Sequence, residues 1–289
     1  MSKITDYSSI NSLDSAAVFL LNNGTAGTKI IPGNKLAQAL AEISDDVQLH
    51  RNTWGGRSLG TSVSAAQWAQ IQARTYHGML VGDYWTIGGV KWVIADFEYW
   101  YGCGDTECTT PHVVIVPEDC LYNAKMNDSN IVTGAYVGSK MYTENLATAI
   151  STIETAFGSA HILSHREYFA NAVTDHRETG HAWVDNKVQI MNESMVYGGE
   201  KFHNQMQGTG WAEYHTIDKT QLALFRLDPT KIVARMSGGR VGWWLRDVVS
   251  ATGFAFVYSV GGASSGGVAT GANAGDSRGV RPAFGICAA

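Results

Sequence analysis

The sequence predicts an α+β fold, and three observations predict it. A β-hairpin pattern opens the middle of the chain, one strongly amphipathic helix follows, and a long region of strands and loops then runs to the end. The hairpin is "GDYWTIGGVKWVIADFEYW" (82–100), where bulky residues alternate on either side of Gly88-Gly89. The helix is "TENLATAISTIETAFG", which sets Leu146, Ala149, Ile150, Ile153 and Phe157 on one stripe and ends at Gly158. The closing region ends on "GVRPAFGI", a final strand.

Residues 1 to about 50 read differently from the rest. In "DSAAVFLLNNGTAGTKIIPGNKLAQALAEI" a short apolar strand meets a glycine-containing turn, a second strand (Lys29 to Ile31) and a short helix from Asn34. Such a module is too small to bury "AAVFLL" alone, which predicts attachment or self-association through residues 1–50. The second domain is residues 51–289. Within it "SAAQWAQIQAR" predicts a helix capped by Ser64, and "HVVIVPE" a short buried strand. "SHREYFANAV" places Ser164 and Glu167 in capping-box positions, which predicts a second helix directly after the first. The last strand is expected to pair beside the hairpin.

Composition narrows the classes of function. With 45% hydrophobic residues in 289, the chain can bury one large core, which predicts a soluble globular protein. No apolar run approaches the roughly 20 residues of a membrane span, and "MSKITDYSSINSL" lacks the basic start and apolar centre of a secretory signal. Membrane insertion is therefore not expected. The net charge is −5 and no Lys/Arg stripe forms, so nucleic acid is not an expected partner.

Motifs for chemistry are sparse. Of four cysteines, only Cys103 and Cys108 are close, a spacing open to a loop disulfide, half a metal site or two reduced thiols. No second pair completes a zinc pattern. His161 and His165 straddle the expected cap, and no HExxH glutamate lies between them; His176 and His181 flank a polar turn. "DFEYW", "GDTE" and "NDSN" offer oxygen ligands without full calcium-loop spacing, so Ca²⁺ is unsupported and no cofactor is expected. GxGxxG and P-loop patterns are absent, and no enzymatic activity is expected.

Taken together and in order, "GDYWTIGGVKWVIADFEYW", "GDTECTTPHVVIVP", "HREYFANAV", "VQIMNESMVYG", "QLALFRLDP", "WWLRDVVS" and "GVRPAF" resemble a family of phage and prophage tail proteins with a C-type-lectin-like fold. The set covers residues 75 to 289 and is also similar to the variable proteins of diversity-generating retroelements. The resemblance implies a receptor-binding protein of a tail fibre or tail tip, made in the bacterial host and carried on the virion. Its partners would be a bacterial surface receptor, protein or glycan, and other tail proteins through the N-terminus, with homotrimers as the assembly. The alternatives are a metal-dependent carbohydrate-binding lectin and an enzyme of the formylglycine-generating kind, whose fold is related but which needs paired reactive cysteines in the C-terminal half, where only Cys287 stands.

The implied binding face is the variable region about 240–279. Of the 21 residues from Ser259 to Gly279, 15 are Gly, Ala or Ser, which reads as loops pinned by a final strand. Trp243, Trp244, Leu245 and Val248 would anchor one strand, and Val280, Phe284 and Ile286 another. The expected display residues are Thr252, Phe254, Tyr258, Val260, Ser264, Ser265, Thr270, Asn273 and Asp276, with Phe254 able to alternate into the core with Phe256. Arg246 and Arg281 are expected to pair with Asp83 or Asp96 across neighbouring strands. Lys, Glu, Gln, Met and Trp make up 47 of the 289 residues, so 33 residues should hold about five; Asp247 to Gly279 holds none. Adenine-directed mutagenesis of AAC codons cannot produce these five. Packed glycine-rich loops would leave the same gap.

Overall fold

The computed structural model describes residues 18–22, 28–32, 56–175, 177–199, 220–260, 269–273 and 275–289. The chain divides into two compact units, Met1–Asn52 and Thr53–Ala289. In the first, β1 (Val18–Asn22) and β2 (Thr28–Pro32) pair antiparallel, with Leu20 opposite Ile30. The helix expected from Asn34 lies outside the described residues.

The second unit is mixed α and β, mostly sheet. It begins with β3 (Ser58–Gly60) and α1 (Ala65–Ala73), whose Ser64 hydroxyl accepts the Gln67 N–H while the Gln67 side chain accepts the Ser64 N–H, a complete capping box. Next come β4 (Tyr84–Ile87) and β5 (Val90–Phe97), joined at Gly88 and Gly89. Both glycines have positive φ, 61° and 78°, as a two-residue hairpin turn of the primed kind requires. After β6 (Val113–Pro117) and β7 (Tyr122–Lys125), α2 (Leu146–Phe157) buries Leu146, Ala149, Ile153 and Phe157 and stops at Gly158, φ 86°.

The segment after α2 departs from expectation. His165–Thr174 is a strand, β8, paired antiparallel to β9 (Arg177–Asn186), not a helix. Its inner residues His165, Glu167 and Phe169 are buried in alternation, a period of two. Glu167 accepts hydrogen bonds from Gln189 and pairs with His165, so it caps nothing. Short elements follow: β10 (Val188–Ile190), α3 (Glu193–Tyr197), α4 (Ala223–Leu227), β11 (Ala234–Met236) and β12 (Gly239–Val241). The chain closes with β13 (Trp243–Val248), β14 (Gly253–Val257), β15 (Ala269–Asn273), β16 (Ser277–Val280) and β17 (Pro282–Ile286).

Two sheets organise the unit, one in the order β10-β17-β6-β5-β4-β3 and one in the order β15-β14-β13-β16-β7. Strand parity fills both sides of each. Val93, Ala95, Val114, Ala283, Trp243, Leu245, Ala255 and Val257 share one core with α3 and α4 residues. The opposite face of the first sheet, with Trp85, Trp92, Ile115 and Phe284, packs on Ile71 of α1 and Ile153 of α2. Trp244, Val248, Phe254 and Phe256 of the second sheet pack instead against Val132, Tyr136 and Phe169. The terminal strand β17 joins the sheet of the hairpin, but β6 lies between them, because Phe284 pairs with Ile115.

Candidate recognition surface

Strand β13 is buried at all six residues and carries the anchoring polar groups. Trp243 Nε1 donates to the Ile232 carbonyl at 3.0 Å, and Trp244 Nε1 to the Ala124 carbonyl at 2.9 Å, so each indole satisfies its only donor inside the core. The register slips between Trp244 and Val248. At this irregularity Arg246 Nη1 donates to Gln189 Oε1 at 3.0 Å and to the Ile190 carbonyl at 3.2 Å, and its guanidinium lies 4.9 Å from the Phe169 ring centre. Asp247 Oδ2 accepts the Glu193 N–H at 2.7 Å.

Arg281 is fully buried at the crossover from β16 to β17, where it donates to the Pro117 and Lys231 carbonyls at 2.9 and 2.7 Å. Both arginines thus hold the scaffold, yet neither pairs with the aspartates expected for them. Asp83 binds Arg57, and Asp96 accepts the Ala223 and Phe97 N–H groups, because the strands carrying these residues are not neighbours. Burial raises the carboxyls of both Asp83 and Asp96 against those hydrogen bonds.

On this frame the expected display residues fall into distinct environments. Strand β14 is buried throughout, and Phe254 has no exposed surface; it packs on the core with Phe256 and is not a display residue. Both phenylalanines sit on the same face because they are two residues apart. Tyr258 and Val260, directly after β14, are 44% and 46% exposed. Thr252, directly before it, is exposed in the turn from β13, with its N–H donating to Ser250 Oγ at 3.3 Å.

Asn273 pairs with Gly253 and Thr270 with Phe256, which places both on the edge strand β15. The register puts Thr252 and Asn273 at one end of β14 and Tyr258 and Val260 at the other, on the order of 15 Å away. They do not form one patch. Asp276 is exposed and lies 3.5 Å from Arg278, and Ser264 and Ser265 are outside the described residues. The burial of β13 and β14 also accounts for part of the missing residue types, since packed positions from Asp247 to Val257 have no room for exposed Lys, Glu or Gln.

An open cleft of about 690 Å³ adjoins Val260. Its other lining residues are Glu118, Asp119, Pro229, Thr230, Lys231, Val233, Arg235 and Arg240. Lys231 Nζ binds Glu118 Oε1 at 2.8 Å, and Asp119 Oδ1 accepts the backbone N–H of Arg235 at 2.8 Å. Burial alone would raise the Glu118 carboxyl, but Lys231, Lys91 and Arg281 outweigh it and the net shift is downward. Arg235 and Arg240 carry no signal in the sequence: they flank a Ser-Gly turn in "ARMSGGRVG", and no residue-type motif marks such a pair. The contact of Arg278 with the Phe256 ring has no local signal either, because the two are remote in sequence.

Chemically reactive arrangements are not assembled nearby. Burial raises the thiols of Cys108, Cys120 and Cys287, Cys120 to about 12. His161 stacks on Trp68 at 4.0 Å and His165 on Trp100 at 4.2 Å. Among the described residues no cluster of three or more His, Cys, Asp or Glu could hold a metal ion, and no helix is long and apolar enough to cross a membrane. No family model, curated protein or solved structure matches the chain.

Proposed function

We propose that residues 53–289 form a C-type-lectin-like receptor-binding domain of a phage or prophage tail protein, which adheres to a bacterial surface molecule without catalysis. The observation that carries this reading is the contrast at the end of β14. A strand buried at all five residues gives way at once to exposed Tyr258 and Val260, beside an open cleft and a segment of Gly, Ala, Ser and Val. A rigid sheet that delivers an aromatic and an aliphatic side chain to solvent next to a concavity is suited to recognition. The motif set and the missing Lys, Glu, Gln, Met and Trp support the retroelement-diversified, virion-borne version. Thiol chemistry of the formylglycine-generating kind is disfavoured by Cys287, which is 7% exposed with its thiol raised by burial.

Residues 1–52 serve in this reading for attachment and trimerisation. A two-stranded pairing such as β1 with β2 is marginal by itself, and "AAVFLL" gains cover by self-association. Light scattering on the full chain at micromolar concentration should give a trimer mass; a monomer opposes this assignment. The function itself is tested by incubating labelled full-length chain with a panel of bacterial strains. Selective retention on some strains is expected, and retention on none opposes the reading.

A further inference from the structure

Arg235 on β11 and Arg240 on β12 stand directly opposite one another in the antiparallel register. Opposed residues of such a ladder project to the same face, and both of these line the cleft beside Val260. Like charges so placed cost stability, and a chain of net charge −5 has carboxylates to spare for neutralising them. None is used. Among the described residues no carboxylate lies within 4.0 Å of either guanidinium.

The acidic residues of the cleft are committed elsewhere. Glu118 is bound to Lys231 at 2.8 Å and lies 3.7 Å from Lys91, and its second oxygen is buried. Asp119 holds the Arg235 main chain rather than its guanidinium. The pairing of Lys231 with Glu118 removes the third cation from consideration. Two exposed guanidinium groups therefore face an open space of about 690 Å³ with no counter-ion within 4.0 Å among the described residues, and that volume is within the usual range of small-ligand sites.

We propose that Arg235 and Arg240 form a subsite for an anionic oxygen group, carboxylate or phosphate, carried on a saccharide of the bacterial surface. Guanidinium groups match both anions with paired hydrogen bonds, and two of them converging on one cleft hold one such group from two sides. Val260 and Pro229 supply the apolar wall against which the sugar ring rests. The saccharide assignment rests on the receptor-binding reading above; the anion subsite rests on the arginine pair alone.

The test uses the full-length chain and two pairs of probes in calorimetric titrations. A galacturonic acid trisaccharide is compared with its methyl ester, and glucose 6-phosphate with glucose, so that charge is the main variable in each pair. At least one acidic sugar should bind at least tenfold more tightly than its neutral counterpart, and the tighter arm identifies the group. Arg235→Gln with Arg240→Gln should abolish the preference while melting no lower than the parent, because a like-charge pair is removed. Failure of both acidic sugars to bind, equal binding of the neutral forms, or binding that survives in the double variant overturns the subsite. Cell adhesion separates the two readings: adhesion that persists unchanged in the double variant overturns the assignment of the subsite to a surface saccharide, whereas acidic-sugar binding without adhesion to any strain overturns the receptor reading and leaves the anion subsite.

Discussion

The guanidinium of Arg278 lies 3.7 Å from the centre of the Phe256 ring, and 5.8 Å from that of Trp244. The three residues belong to β16, β14 and β13, so one arginine from the return strand covers the aromatic pair that anchors the display end. Burial lowers the Arg278 pKa and the nearby Asp276 and Tyr258 oppose that shift. Arg278→Ala removes the cation and the alkyl stem that covers Phe256. A loss on the order of 1–2 kcal/mol is expected in urea unfolding, with Arg278→Lys recovering only part of it because an ammonium cannot stack as a plane. Full stability in Arg278→Ala contradicts this packing role.

Gly279 closes the region expected to vary, yet it is a core position. A Cβ there would come 2.4 Å from Cys120 Sγ and 3.3 Å from Trp243 Cβ. Gly279→Ala should therefore destabilise the protein by about 1–3 kcal/mol through overpacking, read as a lower melting temperature. A double variant that also carries Cys120→Ala should recover part of the loss, since the closest atom is then gone.

Most of the local architecture was legible in the sequence, because local signals decided it. Gly88-Gly89, the Ser64 cap and the Leu146 to Phe157 stripe each act within a single element of the chain. The false helix at Ser164 shows the opposite case. A real capping pattern was outweighed by nine residue pairs with β9 and by the demand of His165 and Gln189 for the Glu167 carboxylate. Tyr258 and Val260 were readable as exposed apolar residues among small ones, whereas Phe254 was not separable from them without the register of β14. The partners of Arg246 and Arg281 were beyond sequence reasoning, since Gln189, Pro117 and Lys231 are 57, 164 and 50 residues away.

His112 makes the fold sensitive to acid. Burial drives its pKa down to about 4, aided by His165 and Arg74 and opposed by the Thr110 carbonyl. Nδ1–H donates to that carbonyl at 2.9 Å, so Nε2 is the acceptor for the Trp100 N–H at 3.1 Å and protonation would abolish that bond. The unfolded chain takes up a proton near pH 6.5 that the folded chain refuses until about pH 4, so this contribution is complete above pH 6.5 and is lost as the pH falls towards 4. The loss is on the order of 3 kcal/mol. Urea unfolding between pH 7.5 and 4.5 should show it, and His112→Gln should be less stable at pH 7.5 but flatter across the range. An equal slope in both proteins places the acid sensitivity elsewhere.

The central claim is that the end of β14 recognises a ligand while β13 carries the scaffold, and one paired measurement separates these roles. Adhesion to a responsive bacterial strain and melting temperature are compared for the parent chain, Tyr258→Ala with Val260→Ala, and Trp244→Ala. Tyr258 and Val260 are half exposed, so their loss should change stability by only about 0.5 kcal/mol each while reducing adhesion at least tenfold. Trp244 is fully buried and its truncation should cost on the order of 3–5 kcal/mol by opening a cavity. Undiminished adhesion in the Tyr258/Val260 variant, or melting as early as that of Trp244→Ala, contradicts the claim.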